Sequence, residues 1–223
     1  MRTLTLSSGH QLHYIDAEEV DRKKKDAKYQ NELKDEERSD ITVHVYEGGF
    51  KVWECSAFLC NQLSENDVRG KSVLELGCGA GLPTIFAMHL GASKCTVQDY
   101  NKSVIDCFTK PNFDANGLTE KDVEYIHGGW ADMELNGKKF DVILSSETIY
   151  NESDYGALAS AIERTMEKDG FAYIASKSFY FGVGGNALGF MDYVNTKTSL
   201  KATMKTEDTS KSPSLCILML KFA

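Results

Sequence analysis

Apolar residues in this chain come in short runs separated by longer amphipathic stretches, and the alternation is regular from residue 72 onward. Five runs, at 72–76, 94–98, 123–127, 140–145 and 171–176, have the length and side-chain types of strands. The run at 140–145, FDVILS, is nearly continuous, as expected for a strand covered on both faces. Elsewhere the apolar positions fall at helical spacing. Val52, Cys55, Phe58, Leu59 and Leu63 mark one face of a helix over 52–63. Another helix opens around Pro83, where a missing N–H costs little, and stops at Gly91. The pattern predicts further helices over 103–109, ended by Pro111; over 154–168, closed by Gly170; and over 190–197, after a glycine-rich loop. Two last strand-like runs, 200–206 and 215–222, flank a polar turn containing Pro213. Alternating strands and helices followed by paired strands predict an α/β fold: a doubly wound, seven-stranded sheet with helices on both faces and a C-terminal antiparallel hairpin.

The first 40 residues have a different texture. Leu4, Leu6, Leu12 and Tyr14 alternate around Ser7-Ser8-Gly9, the signature of a small hairpin. Residues 17–40 then carry nine acids and seven bases with almost no apolar face, which reads as a solvated helix or linker. Residues 41–46 alternate as a strand that Gly48 and Gly49 break. The expected division is an N-terminal hairpin and charged segment over 1–40 and one α/β domain over 41–223.

Bulk properties narrow the function classes. A net charge of −8 argues against a broad nucleic-acid-reading face and is compatible with a cationic protein partner. The six cysteines form no C-x-x-C and the five histidines no ligand spacing, so no metal site is expected; the thiols read as buried and reduced. No apolar run approaches the ~18 residues of a membrane span. The opening MRTLTLSSGH has no apolar signal region. A monomer in the cytoplasm and nucleus, off the membrane, is the expectation.

Candidate chemistry gathers where strands end. The segment 73–82, VLELGCGAGL, runs from a strand through Glu75 into Gly77, Gly79 and Gly81. This G-x-G-x-G behind an acid is a poor match to the G-x-G-x-x-G that seats a pyrophosphate. It looks like the first motif of S-adenosylmethionine (SAM) methyltransferases, and an acid with bare backbone suits a cationic cofactor tail. Asp99 ends the second strand, 20 residues past Gly79. A carboxylate there can accept both hydroxyls of a cofactor ribose. Gly128-Gly129-Trp130 follows the third strand, and an indole offers a flat face to an adenine ring, or simply fills the core. At Ser145-Ser146-Glu147, with Tyr150 and Asn151 beyond, a buried strand turns abruptly polar. That is where a substrate nitrogen would meet a methyl donor, or where Asn151 or Ser153 caps a helix. Trp53 and Glu54 could fold over the cofactor or pack. No pattern of a hydrolase is present.

The pieces VYEGGFKVWECS (45–56), VLELGCGAGL, VQDYN (97–101), GGW (128–130), SSETIYN (145–151) and SKSFYFGVGG (176–185) together resemble the SAM-dependent protein-histidine N-methyltransferases of the seven-β-strand class. The resemblance implies methylation of the distal imidazole nitrogen of a histidine in a large-subunit ribosomal protein. It implies SAM contacts at Val52, Trp53, Glu54, Cys55, Ser56, Gly77, Gln98, Asp99, Tyr100, Gly129, Trp130 and Ser145, beside Gly79 of the glycine loop. It assigns no catalytic residue; Glu147 and Asn151 are candidates for selecting the imidazole tautomer, and the loop 179–185 for shaping a substrate channel. The related protein-lysine methyltransferases carry D-x-x-Y where this chain has Glu147 and Tyr150. A lysine methyltransferase and a non-catalytic SAM-binding scaffold are the alternative readings.

Overall fold

The computed structural model describes residues 1–25, 29, 48–133, 135 and 137–223. The expected strand at 41–46 and most of the charged run after residue 25 lie outside them. Strands β1 (Arg2–Thr5) and β2 (Gln11–Tyr14) form the antiparallel N-terminal hairpin. Helix α1 (Ala17–Lys24) is capped by the Asp16 carboxylate, which accepts from the Glu19 N–H. It is solvated as expected, except that Val20 is buried. The hairpin docks on the main body: the Asn112 side chain accepts from Ile15 N–H, and Asn116 both accepts from and donates to the His13 backbone.

The main sheet comprises β3 (Ser72–Leu76), β4 (Lys94–Asp99), β5 (Val123–His127), β6 (Phe140–Ser146), β7 (Met166–Lys177), β8 (Leu200–Asp208) and β9 (Leu215–Phe222). Their order is β5-β4-β3-β6-β7-β9-β8, parallel through β7 and antiparallel in the two β9 pairings. The β9 strand inserts between β7 and β8, as a seven-stranded doubly wound sheet with a terminal hairpin requires. Period-2 alternation divides the core in two. Val73, Val142 and Leu144 face a cluster with α2 (Glu54–Gln62), α3 (Leu82–His89) and the N-terminal hairpin. Leu74, Leu76 and Ile143 face the other, with α6 (Tyr155–Thr165) and α7 (Ala187–Lys197).

Among the boundaries that differ from the sequence reading, two have a clear physical cause. The helix expected to stop before Pro111 continues: α4 (Lys102–Val104) runs through a π turn (Ile105–Thr109) into α5 (Lys110–Ala115). The wider turn leaves Pro111 at the start of the next α-helical stretch, where its missing N–H is tolerated. Helix α6 ends at Thr165 rather than near 168, because Met166 already pairs with Phe140. The register then shifts, so that Val142 meets Phe171 and residues 167–170 of β7 stand against Asp141 alone.

Candidate functional site

The sheet order reverses between β3 and β6, and a cavity of about 290 Å³ lies over the C-terminal ends of β3, β4, β5 and β6. Of the residues expected to hold the cofactor, Trp53, Gly77, Gly79, Gln98, Asp99, Tyr100, Gly129 and Trp130 line it. They come from four separate segments of the chain.

The glycines of the first loop are required by geometry. Gly77 has φ +64°, and a Cβ on it would lie 2.6 Å from Thr148 Cγ2. Gly79 has φ +48° and sits against the Gly49 carbonyl, with 3.1 Å left for a Cβ. Three side chains pin this loop from behind. Asp99 Oδ2 accepts from the Gly79 N–H at 2.9 Å, and Oδ1 from the Asn101 N–H at 3.2 Å. Thr109, in the π turn, donates its hydroxyl to the Gly79 carbonyl at 2.7 Å. Gln98 accepts from the Gly77 N–H (3.1 Å) and the Trp130 indole N–H (2.9 Å), and donates to the Gly128 carbonyl (2.7 Å). One amide thus ties the first, second and third loops together.

Glu75 stands behind the loop. It is fully buried and absent from the cavity wall, with Oε2 accepting from the Thr84 N–H and hydroxyl at 3.0 and 2.6 Å. Its Oε1 has no hydrogen-bond partner among the described residues. Burial pushes its carboxyl up to about 8, helped by the Asp99 charge and opposed by the Thr84 bonds.

Five residues named from the resemblance are not on the cavity wall. Val52 is partly buried in the core, and Ser56 is buried in α2. Glu54 pairs with Lys177 at 3.1 Å and Lys211 at 3.5 Å. Cys55 is buried in α2 beside Glu147; burial first, then the Glu147 carboxylate, push its thiol far up, so it stays protonated. Ser145 is buried behind the wall, donating to the Leu76 carbonyl at 2.8 Å and sharing a 2.7 Å hydrogen bond with Thr148. It is Ser146 that lines the cavity, because neighbours on a strand face opposite sides. Asn151 also turns out to be a cap: its Oδ1 accepts from the Ser153 N–H at 3.1 Å. The wall further includes Asp132, Asp154 and Ala157, which carried no signal in the sequence beyond their nearness to the polar strand ends.

Glu147 differs from its neighbours. It has φ +58°, unlike any other described non-glycine residue, a conformation that costs a non-glycine residue on the order of 1–3 kcal/mol. Its N–H donates to the Ala175 carbonyl at 2.9 Å, which holds the kink against β7. Its Oε1 is buried without a hydrogen-bond partner among the described residues. Glu147, Trp53 and Tyr150 also line a second cavity of about 300 Å³, next to the first, walled by Lys177, Phe179, Tyr180, Phe181 and Val183. The 179–185 loop thus supplies four residues of this wall. Gly185 packs on the Ile149–Tyr150 backbone, donating to the Tyr150 carbonyl at 2.8 Å. Tyr150 and Tyr180 meet edge to face, and Phe181 stands 81% exposed at the mouth.

The first cavity fits SAM. Backbone-lined glycines admit close approach, Asp99 ends β4 where a ribose is held, and Trp130 offers a flat wall, its indole N–H fixed by Gln98. Asp99, Asp132, Glu147 and Asp154 line the cavity, and no lysine, arginine or histidine does among the described residues. That charge suits a cationic sulfonium and opposes a phosphate ligand.

Comparison with known proteins agrees with this geometry. The sequence profile of a family described as lysine methyltransferase matches residues 25–181. A histidine protein methyltransferase 1 homologue of Dictyostelium discoideum is 42% identical over 77% of this chain and 57% of its own length. The homologue of that name from Bos taurus is 35% identical over 82% and 58%. The chain therefore spans just over half the length of these relatives. Among solved structures, a TehB-like SAM-dependent methyltransferase from Corynebacterium glutamicum superposes with a TM-score of 0.57, covering 91% of this chain and 99% of that one at 16% identity. A ribosomal protein L11 methylase from Lactobacillus delbrueckii gives 0.56, over 76% and 77%, also at 16% identity. These likenesses establish the fold, that of a class I methyltransferase, while the profile and the sequence relatives establish descent: the chain belongs to the lysine methyltransferase family, and histidine protein methyltransferases are among its relatives there.

Proposed function

We propose that this chain is a SAM-dependent protein methyltransferase that modifies a histidine side chain, with a large-subunit ribosomal protein as its substrate. The observation that carries the reading is the pair of adjoining cavities. One is acidic and glycine-lined, the other aromatic and open to solvent, and Trp53, Glu147 and Tyr150 border both. Bound in the first, SAM would supply a methyl group activated by its sulfonium. The protein's own task is to bring a nitrogen to that carbon in line, which is a matter of positioning.

The residues at the junction favour imidazole over ammonium. Neutral imidazole already carries a lone pair near pH 7, with a reference pKa of about 6.5, whereas a lysine must first lose a proton. Carboxylates line the first cavity and would hold a lysine ammonium protonated. The one described basic side chain bordering the second cavity, Lys177, is paired with Glu54 and kept charged, so it cannot serve as a base at neutral pH. The names of the two relatives support the same target. The family's description favours the runner-up, a lysine substrate, and a non-catalytic scaffold is the third reading. A net charge of −8 complements a cationic ribosomal protein, whose handling would place the enzyme in the cytoplasm and nucleus. Labelling with methyl-tritiated SAM and acid hydrolysis of the acceptor protein separates the readings: methylhistidine supports this one, methyllysine the second, and SAM binding without transfer the third.

A further inference from the structure

Glu147 combines three features that neither the fold nor cofactor binding requires. Its backbone is held left-handed at the end of β6, it borders both cavities, and one of its carboxylate oxygens is buried without a hydrogen-bond partner among the described residues. The groups around it are donors or neutral: the Cys55 thiol from α2, the Tyr180 phenol, and the Lys177 ammonium, which Glu54 already engages. A neutral imidazole has one N–H and one lone pair, on opposite sides of the ring, and an acceptor on one side decides which nitrogen is the nucleophile.

We propose that the Glu147 carboxylate receives the Nδ1–H of the substrate histidine and so presents Nε2 to the methyl donor. This rests on the histidine reading above and assigns the residue that enforces it. As the Nε2 lone pair bonds to the methyl carbon, the carbon–sulfur pair stays on sulfur and the ring becomes cationic. The Nδ1 proton then passes to the carboxylate and on to solvent, leaving a neutral methylated imidazole. The carboxylate faces the charge as it develops, which lowers the barrier.

The test uses the full chain, tritiated SAM and large ribosomal subunits from cells lacking this methyltransferase activity, with the modified nitrogen identified by mass spectrometry against the Nδ1- and Nε2-methylhistidine standards. Glu147→Gln should bind S-adenosylhomocysteine within about twofold of wild type by calorimetry. It should transfer methyl roughly 100-fold more slowly and yield a mixture of both isomers. Glu147→Ala should be slower still and recover activity with added formate, which a merely structural role would not allow. Wild-type rate and pure Nε2 product from Glu147→Gln, or no formate rescue in a folded Glu147→Ala, would overturn the assignment and leave histidine methylation intact. Methyllysine as the wild-type product would instead remove the reading on which the assignment rests.

Discussion

Replacing Glu75 with glutamine should flatten the pH dependence of the protein's stability. In the fold, burial raises this carboxyl to about 8, while in the unfolded chain it titrates at its ordinary value of 4.5. Below pH 4.5 both states hold the proton and nothing changes. Between 4.5 and 8 the folded state binds a proton that the unfolded state lacks, so stability falls as pH rises, by up to about 1.4 kcal/mol per pH unit. From pH 6 to pH 8, where the curve begins to saturate, the loss is about 2 kcal/mol. For a domain of this size that is a fall of roughly 4–8 °C in Tm. The Glu75→Gln side chain keeps an oxygen to accept both Thr84 bonds and places an uncharged amide where Oε1 has no partner. Thermal unfolding of both proteins without cofactor, by circular dichroism at pH 6, 7 and 8, isolates this one group, because every other titration is shared. Parallel Tm curves for the two would show that Glu75 is ionised throughout and refute the argument from burial.

Three further outcomes follow from the site. Asp99→Asn keeps an oxygen for the Gly79 N–H but removes the charge; it should weaken SAM binding by about 1.5–3 kcal/mol, on the order of 10- to 100-fold in Kd by calorimetry, and unchanged affinity would displace the ribose from this carboxylate. Gly77→Ala combines φ +64° with a Cβ 2.6 Å from Thr148 Cγ2, so it should lose about 1 kcal/mol or more and bind SAM poorly. Adding Thr148→Ser, which deletes only that methyl, should restore part of both; no recovery in the double variant would mean that the close contact is not what fails. Thr109→Val should cost about 1–3 kcal/mol in chemical denaturation by leaving the buried Gly79 carbonyl without this donor, whereas a neutral result would make the π turn irrelevant to the loop.

The parts of this molecule legible in the sequence are those governed by period and by glycine. The bounds of β3 and β5, the glycine loop after β3 and the terminal hairpin follow from side-chain pattern alone. Pro111 misled because the rule that it ends a helix assumes a continuous α ladder, and a π turn relaxes that ladder just ahead of it. The early end of α6 was hidden because its last residues read as helical, while pairing of Met166 with Phe140 across the sheet overrides local preference. At the site, the resemblance names segments that reach the first cavity together with residues that face away from it. Cys55, Ser56 and Ser145 belong to the right segments but are buried away from the cavity, and only three-dimensional register distinguishes Ser145 from Ser146. Gln98 was visible only as a neighbour of Asp99; its role in tying three loops together arises from contacts 21 to 32 residues away. The left-handed turn at Glu147 has no sequence signal, since nothing in SETIYN announces a positive φ.

The reading as a whole turns on which nitrogen is methylated. Large ribosomal subunits from cells lacking this methyltransferase activity, incubated with this protein and methyl-tritiated SAM, then hydrolysed in acid and resolved by chromatography, should yield label in Nε2-methylhistidine of a single protein. Label in methyllysine, or SAM bound with no label in any protein, would contradict the account.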